Sequence, residues 1–224
     1  MKNMNDQRVA RPIEPATAAI PTHHKPDHRA PSLVRDRFEF LRGFLRNPAQ
    51  VGSVVPSSHR LERRLVRSAD LTQARTVVEL GPGTGGTTQA FLRAMPAQGQ
   101  LLAVELDRVF HRHLRASIHD PRFLLELASA EDLQDLLALR RLPAPDAIVS
   151  GIPFSTMPPE VSSRIAQTIA DVLRPGGRFV AYQVRAHVAG YLTPHLGPPV
   201  KRWEVVNVPP VRVFTWTKPE LERG

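Results

Sequence analysis

Two carboxylates and a glycine-rich turn set the chemistry to be explained. The run Val77-Val78-Glu79-Leu80 is apolar and β-branched with one acid, and Gly81-Pro82-Gly83-Thr84-Gly85-Gly86 follows at once. An apolar helical pattern then extends from about Thr88 to Met95. Strand, glycine turn and helix, in that order, build a nucleotide-type pocket. The glycines let the backbone approach a ligand, and the helix start offers unpaired N–H groups. The second carboxylate, Glu105, closes the apolar run Leu101-Leu102-Ala103-Val104 and stands twenty residues beyond Gly85. At the tip of a second strand it can accept both hydroxyls of a ribose. Asp107, two residues later, reads as a helix cap.

The glycine spacing alone admits two cofactors. Positions 81, 83 and 86 also satisfy a dinucleotide turn, so spacing does not exclude NAD. Glu79 argues against it, because a carboxylate there repels a pyrophosphate but suits the cationic end of S-adenosylmethionine. Glu79-Leu80-Gly81-Pro82-Gly83-Thr84-Gly85 resembles motif I of the class I S-adenosylmethionine-dependent methyltransferases. That resemblance implies S-adenosylmethionine as cofactor. It implies contacts from Glu79, Gly81, Pro82, Gly83, Thr84, Gly85, Glu105 and Leu106, from Ser129 and Ala130 after the third strand, and from Ser150 at the end of the fourth.

Alternating strand and helix patterns must position these residues. Strands are expected at 76–80, 100–105, 122–127, 146–150, 178–184, 202–208 and 211–217, and helices at 58–68, 86–95, 107–117, 131–139 and 159–173. Such alternation implies an α/β fold with a mostly parallel sheet covered on both faces. The last two strands, separated by Pro209-Pro210, read as a closing antiparallel hairpin. Ser57 or Ser58 can cap the helix that starts near residue 58. Arg174-Pro175-Gly176-Gly177 ends a helix and opens a strand. The resemblance implies a Rossmann-like sheet of seven strands with that same turn before the fifth.

The segments after the third and fourth strands bear on the acceptor. Relatives often carry Gly-Asp-Ala after the third strand, with the aspartate on the adenine amine. This chain has Ser129 in that place. Adenine N6-methyltransferases carry Asn/Asp-x-Pro-Tyr/Phe after the fourth strand, where the amide grips an exocyclic amine and the aromatic stacks on a flipped base. Here the residues are Gly151-Ile152-Pro153-Phe154, and the amide is missing. Phe154 is retained, and an aromatic face suits a cationic methylated amine; the alternative is ordinary core packing.

The rest of the chain points to an anionic partner. Its 224 residues carry a net charge of +9, mostly from arginine, and no cysteine. Disulfides and thiolate metal sites are therefore excluded. No histidine spacing suggests a metal, and no apolar run nears the roughly 20 residues that span a bilayer. Residues 1–31 are proline-rich without core-forming residues and read as a disordered tail. Residues 32–47 read as an amphipathic helix. Val34, Phe38, Leu41 and Leu45 form one stripe, Phe40 and Phe44 flank it, and Arg35, Arg42 and Arg46 lie opposite. A helix of that make-up either lies in a membrane interface or packs on the domain at 48–219.

Residues 44–58 and 150–159 both resemble the bacterial phospholipid N-methyltransferases of the soluble, peripheral-membrane type, and the resemblance spans about residues 38–217. It implies stepwise methylation of phosphatidylethanolamine toward phosphatidylcholine at an anionic membrane surface, on the cytoplasmic side. It also implies membrane contact through Phe38, Leu41, Arg42, Phe44 and Arg46. Ser150, Phe154 and Tyr182 are then the expected catalytic positions. Arg185, His187 and Tyr191, in the loop after the fifth strand, would border the substrate entrance. Two other readings stay open: an rRNA or DNA adenine methyltransferase, with nucleic acid the less favoured partner, and a non-catalytic membrane-binding protein on the same fold.

Overall fold

The computed structural model describes residues 58–204 and 210–220. The tail at 1–31, the helix expected at 32–47 with Phe38, Leu41, Arg42, Phe44 and Arg46, and the strand residues expected at 205–208 lie outside the described residues. Seven strands form one sheet: β1 (Thr76–Leu80), β2 (Gln100–Glu105), β3 (Phe123–Leu127), β4 (Ala147–Ser150), β5 (Arg178–Gln183), β6 (Val200–Glu204) and β7 (Val211–Thr217). Their order is β3-β2-β1-β4-β5-β7-β6. The first five are parallel, and β7 runs antiparallel between β5 and β6. The helices are α1 (His59–Ser68), α2 (Gly86–Ala94), α3 (Arg108–Ser117), α4 (Leu133–Leu139), α5 (Pro159–Val172) and α6 (His187–Leu196), with a 3₁₀ turn at Ala130–Asp132.

The side-chain period of two sorts the strands into two cores. Val78, Leu80, Ile148, Phe179, Ala181 and Phe214 face one side, where Ile165, Val188 and Leu192 of α5 and α6 cover them. Val77, Val149, Val180 and Val213 face the other, against Leu61 and Leu65 of α1 and Phe91 of α2. Because β1 is central, all five of its residues are buried. Period two puts Glu79 on the Val77 side, so its carboxylate enters the core beneath α2.

Local caps follow the sequence closely. Ser58 Oγ accepts from Leu61 N at 3.2 Å and starts α1. Asp107 caps α3 by accepting from Val109 N at 2.6 Å. The helix expected from 131 is preceded by the 3₁₀ turn and begins at Leu133. The strand expected at 202–208 begins earlier, at Val200.

One element was expected as loop and is helix. His187 and Tyr191 stand on α6, not in a loop. Gly190 and Pro194 within it hide the pattern, since both are poor helix residues. Val188, Leu192 and Leu196, four residues apart, are nonetheless buried against the sheet. Tertiary burial holds a helix that propensity alone would not.

Among the described residues no helix is long and apolar enough to cross a membrane. Among the same residues no group of three His, Cys, Asp or Glu side chains is placed to hold a metal ion.

Candidate active site

The site is built where β1, β2, β4 and β5 end together. Leu80, Ser150 and Ala181 are in register across β1, β4 and β5. The next residue on each strand is therefore Gly81, Gly151 and Tyr182, side by side. Gly81 N donates to Val104 O at 2.9 Å, and Gly151 N donates to Leu80 O at 2.9 Å. These bonds pin the glycine turn and the loop after β4 to the sheet.

The glycine turn is shaped by close approach at Gly85. Its φ is +84°, and a β-carbon there would stand 2.7 Å from Leu114 Cδ2 of α3. Only glycine meets both demands. By contrast, Gly83 and Gly86 face open space, with nothing within 4 Å of an added β-carbon. This leaves room above the turn and at the N-terminus of α2, where free N–H groups point outward. Pro82 is buried beneath the turn, and Thr84 is exposed at its tip.

Glu105 stands at the tip of β2, 4 % exposed. Its Oε2 accepts from Gly83 N at 3.1 Å and its Oε1 from Asp107 N at 2.9 Å. Each oxygen keeps a second lone pair for a ligand hydroxyl. Burial pushes its pKa up, and the two backbone N–H groups oppose that rise. The carboxylate is thus fixed in orientation beside the open space over Gly83, with Leu106 half-buried next to it.

Glu79 is 1 % exposed, and each of its oxygens already accepts one hydrogen bond from α2. Thr87 Oγ1 and Thr88 Oγ1 donate to its Oε1 and Oε2, each at 2.6 Å. Burial raises its pKa to about 7, against the two threonine hydrogen bonds, and Glu105 adds a smaller repulsion. Glu79 therefore ties β1 to the first turn of α2 and holds the glycine turn between them. Thr87 and Thr88 were not singled out from the sequence. The signal was available, because an acid on the helix-facing side of β1 demands donors from the helix that covers it.

The loop after β4 is stitched to its neighbours. Ser150 is fully buried, and its Oγ accepts from Ile152 N at 3.3 Å. Gln183 Nε2 donates to Ile152 O at 2.5 Å, and Thr156 Oγ1 donates to Pro153 O at 3.0 Å. Phe154 is only 1 % exposed and lies in the core with its ring centroid 6.1 Å from that of Tyr191. Its face is enclosed by packing and is not open to an amine in this conformation. Ser129 caps the 3₁₀ turn, its Oγ accepting from Glu131 N at 3.2 Å, with Ala130 buried behind it.

Tyr182 is the polar group the structure brings to the centre. Its hydroxyl lies beside Gly151, 2.6 Å from where a β-carbon on that residue would stand, and its hydrogen-bond partner is the Thr87 side chain. Burial raises its pKa strongly, and the nearby charge of Glu79 raises it further. The phenol therefore stays protonated at neutral pH and can orient a reacting amine as a neutral hydroxyl, but it is no phenolate base. Arg185 and His187 are exposed beyond β5, and Tyr191 is half-buried against Phe154.

Comparison with known proteins identifies the family and the fold. The methyltransferase domain family matches residues 77–177. An ornithine lipid N-methyltransferase from Singulisphaera acidiphila is 32 % identical over 147 residues, covering 65 % of this chain and 77 % of that protein. A ribosomal RNA small subunit methyltransferase A from Nocardia farcinica is 31 % identical over 173 residues, but this chain spans only 54 % of its length. The fold is shared with the crystal structure of 1,6-didemethyltoxoflavin-N1-methyltransferase from Burkholderia thailandensis with bound 1,6-didemethyltoxoflavin and S-adenosylhomocysteine. The TM-score is 0.62 at 17 % identity, covering 83 % of this chain and 90 % of that one.

Proposed function

From the premise that this chain belongs to the class I S-adenosylmethionine-dependent methyltransferases, we propose that it N-methylates a membrane aminolipid. Phosphatidylethanolamine and its methylated intermediates are the acceptors we propose, on the way to phosphatidylcholine. S-adenosylmethionine is the cofactor, and the residues fit it. Glu105 offers free lone pairs to the ribose hydroxyls, and the open space over Gly83 and Gly86 admits the ligand at a helix start.

When bound, the cofactor supplies an electrophilic methyl group on sulfur. The acceptor amine must arrive neutral and in line with that group. The chain's part is to position the amine and exclude water. Tyr182, Gly151 and the loop to Thr156 form the rigid wall that does so.

The observation that carries the lipid reading is at residue 151. Base-methylating relatives would need an amide there, yet glycine occupies it and the Tyr182 hydroxyl takes up the space. The similarity to an enzyme named for a lipid acceptor supports the same choice. The charge of +9 favours an anionic bilayer, and the helix proposed at 32–47 would provide its first anchor. A cytoplasmic-side, peripheral location follows from this proposal. The similarity to the rRNA enzyme keeps adenine methylation as the second reading. Transfer of labelled methyl from S-adenosylmethionine should be measured into phosphatidylethanolamine vesicles, ornithine-lipid vesicles and rRNA. Label in the lipid is expected; label in RNA alone overturns the proposal.

A further inference from the structure

The antiparallel end of the sheet carries an exposed basic and aromatic surface. β6 is an edge strand, and Val200, Lys201, Arg202 and Trp203 on it are all exposed. Basic residues on an edge guard against pairing with another chain. A tryptophan 55 % exposed does not, and calls for another explanation.

Register places Trp203 opposite Arg212 on β7, and Arg212 opposite Gln183 at the end of β5. Gln183 directly follows Tyr182, so this pair stands at the same end of the sheet as the candidate active site. The Arg212 guanidinium carbon lies 4.3 Å from the centre of a Trp203 ring. The arginine Nε is buried without a hydrogen-bond partner among the described residues. Among the described residues no carboxylate pairs with it: the adjacent acid, Glu204, is buried and holds Arg64 of α1 at 2.8 Å. Val184, 42 % exposed, and Arg185 continue the surface toward α6.

We propose that the stacked Arg212–Trp203 pair, with Lys201, Val184 and Arg185 beside it, seats this end of the sheet on an anionic bilayer. Trp203 enters the headgroup layer, and Arg212 meets a lipid phosphate. An indole is amphipathic and suits that layer. A guanidinium held over the ring can still offer N–H donors to an oxyanion. The uncompensated charges match an anionic surface. A nucleic-acid platform is less well served, because the guanidinium already covers one face of the indole. The choice of a bilayer rests on the aminolipid reading above, but its test is separate.

The chain has two tryptophans, and Trp216 is 1 % exposed with its indole N–H bonded to Gly197 O at 3.0 Å. Trp203 is thus the reporter. Tryptophan emission of the full-length protein should shift to the blue with phosphatidylglycerol vesicles and be quenched by their brominated form. Trp203→Phe should abolish both effects while leaving S-adenosylmethionine binding intact. Arg212→Gln should weaken vesicle affinity about fivefold. No shift with anionic vesicles, or a shift that persists in Trp203→Phe, overturns the surface. So does a shift produced only by RNA, or one that tracks self-association in sedimentation. Lipid methylation intact without the Trp203 signal overturns this surface alone. A Trp203 signal without methylation of any lipid supports the surface and overturns the acceptor instead.

Discussion

The hydroxyl of Tyr182 stands 2.6 Å from the point where a β-carbon on Gly151 would lie, and the Gly81 carbonyl stands 3.1 Å from it. Three strand ends thus meet around one missing side chain. Gly151→Ala is expected to force the phenol aside and to cost about 1–3 kcal/mol, the usual range for overpacking. Tyr182→Phe removes the oxygen and leaves the ring carbon at 3.1 Å, so the double variant should recover part of that loss. Thermal unfolding of the two single variants and the pair closes the cycle. Strictly additive losses would show that the two residues do not compete for this space.

Glu79 makes stability depend on pH. Its folded pKa of about 7 lies above the unfolded value near 4.5, so the folded state holds the proton more tightly. Stability is then fullest below about pH 4.5 and falls as pH rises toward 7. The change from this one group is about 3 kcal/mol. Glu79→Gln keeps an acceptor for one threonine and offers its amide to the other, with nothing to ionise. Denaturant midpoints between pH 5 and 8 should therefore decline in the native protein and vary less in the variant. Parallel slopes would refute the role given to this carboxylate.

Glu105 should matter for ligand affinity more than for folding. Glu105→Gln retains one acceptor for the Gly83 or Asp107 N–H but loses the charge that strengthens bonds to ribose hydroxyls. A hydrogen bond to a charged partner is worth about 1.5–3 kcal/mol, so the Kd for S-adenosylhomocysteine should rise roughly tenfold to a hundredfold. Calorimetry measures it directly. An unchanged Kd with an unchanged fold would place the ribose elsewhere.

Much of this was legible in the sequence because it depends on local pattern. The strands β1, β2 and β4 are largely apolar runs, broken within β1 by Glu79, as a sheet buried on both faces requires, and the glycine turn announces itself by spacing. The reversal at β7 was flagged by Pro209-Pro210. What was not legible depends on register and long-range contact. The occupation of both Glu79 oxygens needs α2 laid over β1. The encounter of Tyr182 with Gly151 needs β5 in register with β4, across about thirty intervening residues. Helix α6 needs the sheet face that Val188, Leu192 and Leu196 bury. Sequence showed which side chains were available for chemistry, and packing decided which of them were free to perform it.

Phe154 puts that distinction to a test. Read from sequence, its ring offers a face to a cationic amine; in the structure it is core, beside Tyr191 and 1 % exposed. Phe154→Ala should then cost about 3–5 kcal/mol through the cavity it leaves. Phe154→Leu keeps most of the volume and removes the aromatic face. If the ring acts by packing, the leucine variant retains its methyl-transfer rate and loses little stability. If the ring holds the amine, that variant keeps its melting temperature while kcat falls about five- to thirtyfold, as loss of a cation–π contact of about 1–2 kcal/mol implies. Single-turnover transfer measured beside thermal unfolding separates the two, and the burial of Phe154 leads us to expect the first.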